Sequence, residues 1–481
     1  SKSKMYKFHE LPDDDYRTNV HARKELDIGQ KHIANNRFKL VTRKGIYPYE
    51  HFDTFEKFNE VILPSKEAFY SSITGDAITD DNYNFAQNVF DVFGMQNLWD
   101  YHDLYLLTDV MLLADILVTF RNMCLEYYKI DPFHCYTAPG FSWQAALRMT
   151  GIELELIDNP DMHKLFEMGI RGGISIITHR HAEADAEHSL LYLDANNLYG
   201  HGMIQYLPTG NFIWAPEFYC EKVNVQSIPD DAQRGLVLEI DCFVPPEFHD
   251  NHNDFPLAPE KMIVNFEMLS NEQLSILEKF ERERLINCNQ NFIGPIRPTV
   301  PSNEKLLQNL FDKKNYIVQY RNLKQYIQLG LVVTKVHRIL TFDQKPWLKK
   351  YIDFNTVKRS KATSEFEKSF FKLLNNSVFG KTMQNVRKER KIDIVDSETK
   401  AQKLIAQSSF KNVTKFRDDL IAIERRKTTI VFNKPIYVGF TVLELSKELM
   451  YDFHYNFIKK QYPAERSQLC FTDTDSFLYK I

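Results

Sequence analysis

Residues 469–481, LCFTDTDSFLYKI, put Asp473, Thr474 and Asp475 between two short apolar runs, the pattern of a tight hairpin with two carboxylates at its tip. Like charges that close repel each other, and a hard divalent cation with oxygen ligands is the natural way to offset the repulsion. A further acidic segment, if adjacent to the hairpin, would make an anionic pocket that is unstable without such cations. Residues 189–210, SLLYLDANNLYGHGMIQYLPTG, offer one: they read as a buried strand running into Asp194, then a turn or short helix. Alone, Asp194 would read as a cap or turn former; beside the hairpin it completes an anionic pocket.

Length and composition allow such a site a large scaffold. The 481 residues suffice for about three lobes of ~150 residues, and 43% hydrophobic with 13% aromatic residues can fill several cores. No run approaches the roughly 18 apolar residues that span a bilayer, and SKSKMYKFHELPDDDY at the start carries no signal-like apolar stretch. The six cysteines form no C-x-x-C pair, which argues against a zinc ribbon and suits a reducing, intracellular compartment. The net charge of −4 hides a strong asymmetry: from Lys305 to Lys391, 20 Lys and Arg face 6 Asp and Glu. Tyr316, Tyr320, Tyr326, Trp347, Tyr351 and Phe354 interleave with these charges, a mixture suited to neutralising phosphates and stacking on bases. The same pattern also fits a solvated helical surface over an aromatic core.

Three more stretches carry chemistry. Residues 101–128 have apolar residues at helical spacing, with Tyr105 and Asp109 one turn apart on one face. GIRGGISII, 169–177, sets paired glycines before an apolar strand, where backbone can approach a ligand closely. Residues 355–391 read as helical, and Lys368, Lys372, Asn376 and Phe379 then share a face: two ammonium groups for a triphosphate, an amide and a ring for a base. Lys on a wet face and Phe on a dry one is the plainer account of that helix. IYVGFTVLELSKELMYDFHYNFIKKQYP, 436–463, reads as strand then helix. Joined together, acidic strand ends that gather divalent cations and a basic, aromatic ladder point to nucleotidyl transfer on a nucleic acid.

The motifs resemble those of family B DNA polymerases, the protein-primed branch in particular. DANNLYG (Asp194–Gly200) is similar to motif A, D-x-x-S-L-Y-P, with Asn197 and Gly200 as departures; KLLNNSVFG (Lys372–Gly380) to motif B; FTDTDS (Phe471–Ser476) to motif C. IRGG (Ile170–Gly173) resembles the Y-x-G-G linker between exonuclease and polymerase modules, and Tyr105 with Asp109 the third exonuclease motif. RKGIYPYEHFDTFEKFNE and the wording around motif A look most like polymerases of Polinton (Maverick) elements and related viruses.

The resemblance implies an α+β fold: right-hand palm and fingers, an N-terminal remnant of a ribonuclease H-like 3'-5' exonuclease domain, and no thumb. It divides the chain into an exonuclease-like part (1–165), the IRGG linker (166–178), palm with motif A (179–215), an inserted priming-protein-like subdomain with palm (216–345), fingers (346–391), a second insertion (392–430) and palm with motif C (431–481). Asp194, Asp473 and Asp475 would be catalytic, with Asp194, the Ala195 carbonyl and Asp475 holding two Mg2+ ions, or Mn2+. Ala195, Tyr199, Lys368, Lys372, Asn376, Phe379 and Gly380 would bind the dNTP, Tyr199 excluding a ribose 2'-hydroxyl. Arg171, Gly172, Gly173 and Lys381 would contact DNA. The implied partners are primer-template DNA, dNTP and a terminal protein as primer, with no membrane; the nucleus is the expected site for a genome-integrated element. The 178 residues from Asp194 to Lys372 and the 103 from Lys372 to Asp475 leave room for insertions that hold the priming protein and encircle the template.

Departures from the pattern matter as well. No D-x-E motif precedes Tyr105, NVFD at 88–91 is a poor substitute for a second acidic motif, and no K-x-Y follows motif C. A fragment or decayed copy without proofreading is therefore expected. A nucleic-acid-primed family B enzyme and a noncatalytic DNA-binding remnant are the alternatives. A zinc site at His179, His181 and His188 lacks a matched second pair.

Overall fold

A computed structural model of the chain describes residues 37–288, 300, 302–417, 419–462 and 466–481. The chain divides into two compact units, 1–134 and 135–481. The boundary falls before the one expected at residue 165, and the first 36 residues of that expected span lie outside the described residues.

In the first unit, α1 (Asp80–Phe93) starts where Thr79 Oγ1 accepts the Asn82 N–H and stops at Gly94, whose φ of +64° favours glycine. The long helix expected at 101–128 is α2 (Leu98–Tyr128), capped by Asn97. Phe69, Ala86, Val89, Leu98, Tyr101 and Leu104 form the core of this unit.

The second unit opens with α3 (Ala138–Thr150) and α4 (Pro160–Gly169), then β1 (Ser175–Ile177), β2 (Leu190–Asp194), α5 (Leu198–Met203), β3 (Leu207–Trp214) and β4 (Arg234–Phe243). The strands β5 (Glu260–Met262) and β6 (Lys305–Leu307) pair with each other, and between them α6 (Asn271–Cys288) buries no side chain. Next come β7 (Lys313–Gln319), α7 (Tyr320–Gln328) and β8 (Val332–Lys345), which complete an antiparallel sheet of order β3-β8-β4-β7. The helices α8 (Lys349–Lys361) and α9 (Glu365–Thr382) follow. A separate sheet of order β10-β11-β9 is built from β9 (Arg390–Val395), β10 (Phe410–Arg417) and β11 (Leu420–Arg426), with α10 (Glu398–Ile405) between its first two strands. It has its own small core of Val395, Ala401 and Ile423. Finally α11 (Ile436–Asp452), β12 (Gln468–Asp473) and β13 (Ser476–Lys480) complete the unit.

The central support is α11. Every residue from Ile436 to Lys447 is buried, and the helix packs on α4, α5, α7, α9, β3 and β7. Burial of side chains such as Phe440, Val442 and Leu445 stabilises by about 1.5–3 kcal/mol each. The expected strand at its start is helical: a short apolar run reads alike for a buried strand and a helix buried all round. Within α11, Lys447 and Glu444 form an ion pair of 3.0 Å with side chains 5% and 2% exposed. Such a pair adds little net stability, yet loss of one partner costs about 3–5 kcal/mol.

A second antiparallel sheet, of order β1-β12-β13-β2, carries the acidic hairpin. The strand ending in Asp194 is not buried as expected. It lies at the edge of this sheet, with Leu190, Leu191 and Tyr192 41%, 39% and 57% exposed.

Candidate active site

Strands β12 and β13 pair Asp473 with Ser476, so Thr474 and Asp475 alone form the turn. Thr474 lies in the left-handed region, φ +58°, which is unfavourable for a β-branched residue. On the other side of β13, Ser476 pairs with Asp194, and the Ala195 N–H donates to the Asp475 carbonyl at 2.7 Å. The antiparallel register thus carries the motif A carboxylate to the hairpin tip. The Asp475 carboxyl is pushed up, first by burial, then by the charges of Asp194 and Asp473, while Lys372 draws it down. Carboxylates crowded in this way favour a bound cation.

Among the described residues no three His, Cys, Asp or Glu side chains gather to hold a metal ion. The candidate donors are therefore the Asp194 and Asp475 carboxylates with the adjoining Ala195 main chain, an all-oxygen set that fits a hard divalent ion. A cavity of about 260 Å3 adjoins them, lined also by Leu193, Leu449 and Phe477.

Motif B lies on α9, whose entry is capped by Ser364: its Oγ accepts the Glu367 N–H at 3.2 Å, and Glu367 Oε2 accepts the Thr363 N–H one residue earlier at 3.3 Å. Phe370, Phe371, Leu374 and Val378 face inward, and buried Asn375 accepts a 2.8 Å bond from Asn355 of α8. This anchoring leaves Lys368, Lys372, Asn376 and Gly380 exposed. Lys368 forms an exposed 2.7 Å pair with Glu365. Phe379 stacks on Tyr199 of α5, centroids 4.3 Å apart and 13° between planes, which joins motif B to motif A. The Tyr199 phenol is raised by burial and by the Asp475 charge. Lys381 is half-buried, and its charge, after burial, helps lower the Lys434 ammonium.

The two departures in motif A are linked. Asn197 adopts φ +59°, a conformation asparagine tolerates. A Cβ on Gly200 would lie 2.6 Å from the Asn197 Oδ1. The Asn197 side chain fills the space that a Cβ at position 200 would need.

Several expected contacts fall elsewhere. Arg171, expected at DNA, is 6% exposed; its guanidinium donates to the Ile317 carbonyl at 2.7 Å and lies 3.8 Å from the Tyr316 ring centroid. Its charge is satisfied inside the fold and presents nothing to a phosphate. Gly172 is exposed with open space around it, whereas Gly173 is pressed against Thr474. Of the aromatics meant to stack on bases, Tyr316, Tyr320, Tyr326, Trp347 and Tyr351 are buried, and Lys313 pairs internally with Glu260 at 2.6 Å. The basic stretch is part core and part surface. Interleaved charges and rings fit both readings, and the sheet β3-β8-β4-β7 with its helices takes the rings inward.

In the first unit, the Tyr105 ring stacks on Tyr47 at 4.5 Å, and its hydroxyl bonds that of Tyr49. Burial, that bond and the Asp109 charge all raise the Tyr105 phenol. Asp109 is exposed on the same helix. His188 bonds Asp185 at 2.8 Å and His179 lies 3.9 Å from Asp254, with no metal grouping among them. Sequence reasoning missed the buried Lys447–Glu444 pair beneath the tip; a lysine and a glutamate inside an otherwise apolar helical run were the available signal.

Comparison with known proteins follows this geometry. Phi29 DNA polymerase in an orthorhombic crystal form is similar at 13% identity and a TM-score of 0.44, over 88% of this chain and 57% of that one. The Phi29 enzyme complexed with primer-template DNA and incoming nucleotide gives 13% and 0.43, over 91% and 59%. The chain thus spans less than two thirds of the length of these structures. No curated protein sequence matches it. The family model of DNA polymerase type B, organellar and viral, matches residues 31–459, which include motifs A and B and stop short of the motif C hairpin. Since that match covers most of the chain, the protein belongs to the organellar and viral type B DNA polymerases.

Proposed function

We propose that this chain carries the palm and fingers of a DNA-directed DNA polymerase that adds dNTPs to a primer 3'-hydroxyl. The observation that carries this reading is the strand pairing that brings Asp194 beside Asp475 at the hairpin tip, where the Lys372 charge from a third stretch of sequence also acts. Asp194, Asp475 and the Ala195 carbonyl would hold Mg2+ or Mn2+, with Asp473 in support. Bound there, such ions supply Lewis-acid stabilisation of the oxygens in phosphoryl transfer. Lys372, with Lys368 a turn earlier, offers ammonium groups to the triphosphate. The stacked Tyr199 and Phe379 form a flat wall for the incoming sugar and base, with Asn376 and Gly380 alongside. Tyr199 would exclude a 2'-hydroxyl sterically.

Protein priming, for a virus or mobile element of the Polinton kind, is the finer reading. It is supported by the solvent-exposed α6 arm within 216–345 and by the small sheet of 392–430, which carries exposed Lys411, Lys415 and Arg417. The arm would meet a priming protein and the sheet the template backbone, aided by Gly172 and Lys381.

Primer extension by the chain and by its Asp194→Asn and Asp475→Asn variants tests the central reading. Loss of a charge-stabilising group is expected to lower nucleotide addition at least about a hundredfold, with thermal unfolding little changed. Full activity in both variants would overturn it.

A further inference from the structure

The I-R-G-G segment touches the acidic hairpin, and it does so from inside the fold. Gly173 and Ile174 run beside the tip: Ile174 accepts the Thr474 N–H at 2.7 Å, and β1 then pairs Ser175 with Asp473. A Cβ on Gly173 would lie 2.6 Å from the Thr474 Cγ2 and 2.9 Å from its Cβ, closer than real side chains come. The space shared by Gly173, Ile174, Leu198, Tyr199, Lys447 and Thr474 amounts to about 10 Å3, barely that of one water. It is a packed contact and leaves no room for a ligand.

Arg171 anchors the segment there. Arg171, two residues before Gly173, is fixed by its bonds to the Ile317 and Gly169 carbonyls and by the Tyr316 ring. Behind the tip, Lys447 is held by Glu444 on α11. Thr474 itself keeps a backbone conformation that costs about 1–3 kcal/mol and persists only where surroundings impose it. Its neighbours on either side in the chain are Asp473 and Asp475.

We infer that Arg171 and Gly173 are positioning residues: they hold Thr474 in its left-handed conformation and so set where the Asp473 and Asp475 carboxylates stand. The segment acts on the chemistry through the hairpin, without touching substrate. This rests on the reading of Asp194 and Asp475 as cation ligands.

The test is a double-mutant cycle read by Mn2+ affinity in electron paramagnetic resonance, with thermal unfolding alongside. Gly173→Ala should weaken Mn2+ binding at least about tenfold, because loss of the contacts that orient metal ligands typically costs about 10–100-fold in metal affinity. Thr474→Gly removes the three atoms nearest to the new methyl and accepts φ +58° without strain. The pair Gly173→Ala/Thr474→Gly should therefore regain affinity to within about threefold of Thr474→Gly alone. Additive losses, or wild-type affinity in Gly173→Ala, would overturn the inference. Arg171→Lys, which keeps the charge but loses the fork and the stacking, should weaken Mn2+ binding in the same direction; unchanged affinity there would remove Arg171 from the account. Wild-type Mn2+ binding that survives Asp194→Asn and Asp475→Asn would instead sink the cation reading itself, a different pattern of results.

Discussion

Two carboxylates singled out by their motifs stand in contrasting places. Asp475 lies at a hairpin tip where Asp194 from a neighbouring strand and Lys372 from α9 both act on its charge. Asp109 lies on the exposed face of one helix, one turn from a Tyr105 already committed to Tyr47 and Tyr49. The first is built from three distant stretches of chain; the second is a local helical pairing. Such convergence, more than the residue types, separates a candidate reaction centre from a motif fragment.

The largest effect expected to sharpen this contrast is the hundredfold loss of primer extension in Asp194→Asn or Asp475→Asn, against no change in Asp109→Ala. Equal losses at all three positions would erase the distinction.

Next in size is sugar discrimination. Tyr199→Val should raise ribonucleotide incorporation relative to deoxynucleotide by roughly ten- to a hundredfold, the range available to a steric pocket facing a hydroxyl. An unchanged ratio in an active variant would remove Tyr199 from that role and leave its stack on Phe379 as packing.

A smaller effect separates scaffold from site. His454 and His252 are buried in the second unit; burial, then the Lys459 charge, depresses them to about 3 and about 4 from 6.5. His454 Nδ1 lies 2.9 Å from the Tyr479 hydroxyl of β13. Both rings stay neutral in the folded chain where the unfolded chain takes up protons. Stability is thus intact above about pH 6.5 and falls as pH drops through the window from 6.5 to 3. Thermal unfolding across that window should show a steep decline, flattened in His252→Phe; a wild-type midpoint independent of pH would contradict these buried neutral rings.

The smallest effect is a null one. The described residues of the first unit gather no acidic grouping around Asp109. The chain should leave single-stranded DNA intact in magnesium, and Asp109→Ala should behave identically. Degradation abolished by Asp109→Ala would show that this helix has acidic partners after all.

Sequence served well where a motif is also a local structure. The hairpin around Thr474, the strand into Asp194 and the exposed face of Lys372 and Asn376 follow from the period of apolar and polar residues alone. It served poorly where a residue's place depends on what packs over it. Arg171 looks like a phosphate ligand until Tyr316 and the Ile317 carbonyl close around it, and the tyrosines of 305–391 look like base-stacking rings until the sheet takes them inward. The apolar leucines of β2 point to a buried strand, yet it lies at a sheet edge. The helical start of α11 was hidden for a related reason: a helix apolar on all sides shows no stripe. Each miss turns on tertiary context, which a single sequence encodes only through distant partners.

The central claim, that Asp194 and Asp475 form one cation site through convergence, is tested most directly by thermal unfolding of the wild type, Asp475→Asn and Asp109→Asn with and without Mn2+. Without metal, removal of one of two repelling charges should leave Asp475→Asn at least as stable as the wild type. With metal, the wild type and Asp109→Asn should rise together, because a ligand bound only to the folded state stabilises it, and Asp475→Asn should not. An equal rise in all three proteins, or a metal-free Asp475→Asn clearly less stable than the wild type, would contradict the account.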